Sequence, residues 1–132
     1  MADPIDFPDV EAVVVDHLAA LMEVPVHTSV PNPRPDRFLV VERAGGALRT
    51  MVSDEARIVT AAWGLDDEDA AQLAGIARSN ILAMRGLRVG DVQVYRVTDQ
   101  SGPARDPDPD SGAPRYSTTQ SVAVRGATRV SS

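Results

Sequence analysis

Apolar positions recur along this chain with two different periods. Val10, Val13, Val14, Leu18 and Leu21 share one face at helical spacing, and Asp9, Asp16 and Glu23 occupy the opposite face. The pattern predicts a helix over residues 8–22. Asp6 or Phe7 enters it, Pro8 fits the first turn, where its missing N–H costs nothing, and Pro25 stops it. Asp9 and Glu11 complement the positive end of the helix dipole. A second helix follows Asp66 as cap, with Asp67, Glu68 and Asp69 in its first turn, Arg85 in its last and Gly86 as the stop. Its stripe of Ala70, Leu73, Ala74, Ala77, Ile81 and Met84 is rich in alanine, so this helix can approach a sheet closely. Ile76 and Leu82 lie off the stripe, as scattered surface residues or as a second contact face towards a neighbour.

The remaining apolar runs read as strands. Residues 24–30 form a short extended piece, and Pro31-Asn32-Pro33-Arg34-Pro35 is a rigid extended connector. Phe38-Leu39-Val40-Val41 is a continuous apolar run, suited to a strand covered on both faces or lying at an interface. Ala44-Gly45-Gly46-Ala47 breaks it, and a second strand over residues 57–63 pairs with it across a long loop, residues 45–56. Residues 92–97 and the alternating, polar residues 116–125 supply two more strands. Between them, residues 99–115 hold Pro103, Pro107, Pro109 and Pro114 and are expected to be neither helix nor ladder. The expected unit is one α+β domain over residues 1–126 with long loops, followed by a disordered tail, 127–132.

Charge is unevenly placed. The net charge is −6, and residues 1–23 hold six acids without a basic residue, so the excess belongs to the first helix. All thirteen basic residues are arginine, spread without a broad basic patch, which speaks against tight nucleic-acid binding. There is no Cys, which removes disulfide and thiolate chemistry. No apolar run approaches the roughly 20 residues of a membrane span, and the first residues lack the pattern of a signal peptide.

Candidate chemistry is sparse. Asp106, Asp108 and Asp110 alternate with Pro107 and Pro109 before Ser111-Gly112, which superficially matches a calcium loop. The glycine comes one residue late and Ser117 stands where the bidentate acid belongs, so a solvated acidic loop is the expected reading. His17, on the apolar side of the first helix, reads as a satisfied, partly buried histidine. With His27 the only other one, a metal site is not expected. Ser117-Thr118-Thr119 lacks a nucleophile elbow, and the glycines at 45 and 46 lack the lysine of a phosphate loop. No catalytic residue and no cofactor is expected.

Residues 30–38 (VPNPRPDRF), followed by Val41-Glu42-Arg43-Ala44-Gly45-Gly46 and later by Ser111-Gly112-Ala113-Pro114-Arg115-Tyr116, resemble the tail terminator (tail completion) proteins of long-tailed phages. The likeness covers residues 10–126 and includes the order of elements. It implies helices packed on one face of a mixed, mostly antiparallel sheet. It also implies a homo-oligomeric ring, usually a hexamer, that caps the tail tube, ends its polymerisation and offers a surface to the head. The implied partners are further copies of the chain, the major tail tube protein and the head–tail connector or neck protein. Genomic DNA would pass through without specific binding. The location implied is the head-facing end of the virion tail, after assembly in the host cytoplasm. Another neck or head–tail adaptor protein is the nearest alternative, and a monomeric peptide- or ligand-binding module is one from a different class.

Residue expectations follow from this reading. Arg34, Arg37, Phe38 and Val40 are expected at a subunit interface, with the acidic outer face of the neighbour's first helix (Asp9, Asp16 and Glu23) as one candidate acceptor. Gly45, Gly46, Leu48, Arg49 and Met51 are expected in a mobile loop that meets a neighbour or the tube. Asp106, Asp108 and Asp110 are expected in a loop that lines the lumen and repels DNA.

Overall fold

The computed structural model describes residues 4–128. In chain order these form β1 (Ile5–Asp6), α1 (Val10–Leu21), β2 (Val26–His27), β3 (Phe38–Thr50), β4 (Ser53–Trp63), α2 (Asp67–Leu82), β5 (Arg88–Val89), β6 (Val92–Arg105), β7 (Arg115–Arg125) and β8 (Ala127–Thr128). Six strands make one sheet in the order β2-β3-β4-β7-β6-β5, and β1 pairs with β8 in a separate two-stranded ladder. Only β2 runs parallel to its neighbour, with Val26 and His27 beside Leu39 and Val40. The chain is therefore α+β, with a mixed, mostly antiparallel, curled sheet.

Both helices lie on the same face of that sheet. Leu39 and Val41 of β3, Ala56, Ile58 and Ala62 of β4, Val94 of β6, and Val122 and Val124 of β7 point into one core. Val10, Val14 and Leu18 of α1 and the whole predicted stripe of α2 meet them there. The alanines at 70, 74 and 77 bring α2 down close to the sheet. Beneath it, Thr118 and Gln120 of β7 are fully buried and bonded to each other, while Gln120 Nε2 also donates to Asp99. Such a buried polar row is stable only while its partners hold.

Helix starts follow from caps. Asp9, not Asp6 or Phe7, caps α1 by accepting the N–H of Ala12 at 3.2 Å, so Pro8 falls just before the helix. Asp66 caps α2 as expected, through the N–H of Asp69 at 2.8 Å. His17 meets the backbone carbonyl of Asn80 at 3.2 Å, which ties α1 to α2 and satisfies the ring.

Two expected loops are strands. Residues 45–56 are not a long loop, because β3 runs on to Thr50 and turns through Met51 and Val52 directly into β4. The glycines that look like a break are a register shift: between the pairs Arg43–Ile58 and Gly46–Ala56 the first strand gains a residue. That is a β-bulge, which bends a strand without ending it. Likewise β6 continues to Arg105, and Pro103 sits in the irregularity between the pairs Ser101–Thr119 and Ala104–Ser117, where no ladder N–H is required. The true connection is only residues 106–114. Ala127 and Thr128, expected in a disordered tail, pair with Asp6 and Ile5; the rest of that tail, 129–132, lies outside the described residues.

Gly46 tests the bulge. Its φ is +103°, and a Cβ there would stand 2.1 Å from the carbonyl oxygen of Glu55, a backbone atom that cannot swing aside. Gly45, at φ +91°, has open space around it. Gly45→Ala is expected to cost about 1–2 kcal/mol through backbone strain alone, and Gly46→Ala about 3 kcal/mol or more. Urea denaturation should rank wild type above Gly45→Ala above Gly46→Ala; equal losses would contradict the close approach at Gly46.

Candidate interaction surface

The two proline-rich segments meet at one end of the sheet. Asp108 is only 8% exposed, and its carboxylate is the centre of the meeting. It accepts from Trp63 Nε1 at 3.1 Å, from Arg34 at 3.2 Å, and from the backbone N–H groups of Asp110 at 2.9 Å and Ser111 at 3.4 Å. Arg34 also donates to the Ser111 hydroxyl at 2.9 Å. Trp63 in turn stacks on Phe38 with ring centroids 4.5 Å apart, and the Arg115 guanidinium lies 5.2 Å from the Trp63 ring. The backbone N–H of Asp110, the Trp63 N–H and the N–H of Ser111 hold the Asp108 carboxyl below its ordinary range, against a partial opposing effect of burial.

These contacts correct the expected lumen residues. Asp108 is an internal acceptor that fastens the Pro31-to-Pro35 connector to the 106–114 loop, so it is not a solvated acid facing DNA. Asp106 pairs with Arg115 at 3.1 Å and accepts from Ser117 at 3.0 Å. Asp106 and Asp110 are both exposed, Asp106 while holding its two partners.

The expected interface arginines are likewise held within the chain. Arg37 makes a two-pronged contact with Asp69 of α2, Nε at 2.8 Å and Nη2 at 2.9 Å. That fork lowers the Asp69 pKa, with help from the N–H of Leu65, and raises that of Arg37. Arg34 is spent on Asp108. Phe38 is fully buried against Trp63, so it is core and not surface. Val40 is half-buried. Asp9 is occupied as the α1 cap, whereas Asp16 stays exposed on the outer face of that helix. Arg43 forks onto Asp54 at 2.7 and 2.9 Å while its backbone N–H donates to Glu11 at 2.9 Å. Arg78 pairs with Asp99, and Arg105 with Asp67 at 3.0 Å.

The contact-loop expectation changes form. Leu48 and Met51 are exposed, at 56% and 82%, as expected, but they sit at the tip of an ordered hairpin and not on a mobile loop. Val52 and Arg49 are exposed beside them. Thr50 and Ser53 hydroxyls bond across the turn at 2.8 Å, and Gly126 donates to the Val52 carbonyl at 2.7 Å, which pins the tip to β7. Beyond Val40, β3 has no strand on its outer side, because β2 ends at His27. This leaves an edge without a partner strand at Gly45, Gly46 and Ala47, partly capped by side chains, since the Arg43 N–H donates to Glu11 and the Gly45 carbonyl accepts from the Arg43 guanidinium at 2.9 Å. Register shifts interrupt this part of β3, and bulges and Pro103 interrupt β6 in the same way.

Sequence reasoning missed the groove between the end of α1 and α2, lined by Leu21, Met22, Glu23, Leu73 and Ile76 among others. The off-stripe position of Ile76 was the available signal. Among the described residues no group of three or more His, Asp or Glu side chains could hold a metal ion, and no helix is long and apolar enough to cross a membrane. No protein-family model matches the chain, and no curated protein matches it either.

Asp108→Asn checks the meeting point. Asparagine keeps the shape but loses the charge-assisted bonds, an expected cost of about 1–3 kcal/mol at pH 7. Because the folded pKa of Asp108 is depressed, its contribution is present above the ordinary carboxylate pKa and fades as pH falls through the folded value. The wild type should lose stability more steeply than the variant below about pH 4, as followed by Trp63 fluorescence. Parallel curves would contradict the role given to this carboxylate.

Proposed function

We propose that the chain is a structural subunit of a phage tail, forming a ring, by family likeness a hexamer, that caps the tail tube, ends its polymerisation and presents a surface to the head. The reading rests on the resemblance of the 30–46 and 111–116 segments to tail terminators. One structural observation supports it most: a hairpin, pinned by Gly126 and by the Thr50–Ser53 bond, whose apolar tip faces solvent. A chain that holds Met51 outward on a pinned turn forgoes burial worth about 1.5–3 kcal/mol, which is recovered when a partner covers it. Its partners in this reading are further copies of itself, the tail tube protein and a neck protein. Catalysis has no part in it.

The acids of the 106–114 loop take a different role from a DNA-repelling lining. Asp106 and Asp108 fasten the loop to the body of the subunit, and Asp110 stays at its surface. Replacing all three aspartates would unfasten the loop and would not report on DNA passage.

The direct test is mass in solution. Light scattering and native mass spectrometry over a hundredfold range of concentration should show a closed oligomer of fixed number, with no continuous growth. A chain that remains a monomer throughout, both alone and with tail tube protein added, contradicts the proposal.

A further inference from the structure

The hairpin tip and the groove beside α1 are complementary, and they belong to opposite ends of one strand. The tip presents Leu48, Met51 and Val52 with Arg49 among them, and no acid occurs between Arg43 and Asp54. The groove, about 310 Å³, has an apolar floor of Leu21, Met22, Leu73 and Ile76, with Leu21 54% and Ile76 44% exposed. Its mouth is acidic. Glu23, just past the extended C-cap Met22 of α1, lines it and is exposed. Arg37 also lines the groove but is neutralised by its fork on Asp69. Glu23 is near enough to help raise the Arg37 pKa, but with Asp69 beside the same guanidinium the two acids outnumber the one arginine at this mouth.

Arg37 immediately precedes β3 and Met51 immediately follows it. The strand has 13 residues, which at about 3.3 Å each places the two surfaces roughly 40 Å apart. A chain cannot seat its own tip in its own groove. We infer that the Leu48, Arg49, Met51 and Val52 tip of one subunit docks in the Leu21–Ile76 groove of a second copy, with Arg49 facing Glu23. Two different patches that meet in this way make a head-to-tail contact, which closes into a ring when the rotation per subunit divides a full turn. The inference rests on the ring reading above and specifies the contact that builds it.

The chain has no native cysteine, so introduced ones report without background. Met51→Cys and Ile76→Cys replace exposed side chains, and circular dichroism should confirm that both variants fold. Under mild oxidation the double variant should give a ladder of covalent species beyond the dimer. Each single variant should stay uncrosslinked, and an equal mixture of the two singles should give one heterodimer. Separately, Arg49→Glu should weaken assembly about threefold to tenfold, as expected for one rim ion pair, and Glu23→Arg in the same chain should restore it. A dimer from Met51→Cys alone would show tip meeting tip and overturn the inference. So would an oligomer of fixed mass in which the double variant fails to crosslink, although the ring reading would survive that result. A monomer without any crosslink overturns both.

Discussion

Eleven consecutive residue pairs join β4 to β7, from Ser53 beside Arg125 to Trp63 beside Arg115, without a break in register. Every other element is placed by that pair. Even positions on both strands face the helices, so Ala56, Ile58, Val122 and Val124 receive α1 and α2, and any slip by one residue would turn that set to the bare face. Outer strands must match the length of the central two to satisfy their backbone groups. β3 and β6 therefore run 13 and 14 residues through sequences poorly suited to strands, absorbing the misfit as bulges at Gly45, Gly46 and Pro103.

The same economy governs charge. Among the described residues six ion pairs join strands, helices and loops, and most of them link segments far apart in sequence. Asp69 receives Arg37 while also accepting the N–H of Leu65, so it fixes the start of α2 against the entry to β3. Asp108 does the corresponding work for the two proline-rich segments. Singly exposed pairs of this kind add little stability. Their weight lies in orientation, since each holds a loop that has few apolar side chains of its own. Among the surface regions without such commitments are the hairpin tip and the groove between the end of α1 and α2. The proposed assembly uses these regions.

Both helices were legible in the sequence because their signals are local. Asp66, the acids after it and the stripe from Ala70 to Met84 lie within one periodic segment, and all of that stripe is buried. Strand ends were not legible, since a glycine pair or a proline signals a bulge and a loop with the same letters; only the partner strand decides between them. The roles of Arg34, Arg37 and Asp108 were hidden for a related reason. Their partners lie 74 and 32 positions away, and no spacing rule reaches that far. Phe38 is expected at an interface and is found in the core, because an apolar run looks alike in both. The exposed apolar residues at 48 and 51 were found correctly, although the turn that carries them was not.

Assembly is the claim on which the functional account stands, and electron microscopy of the purified protein observes it most directly. Class averages are expected to show closed rings with a central opening and one dominant rotational symmetry, and with tail tubes added the rings should sit at a single tube end. Particles no larger than one 14.0 kDa chain, or open filaments without closure, and tubes whose ends stay bare would contradict it.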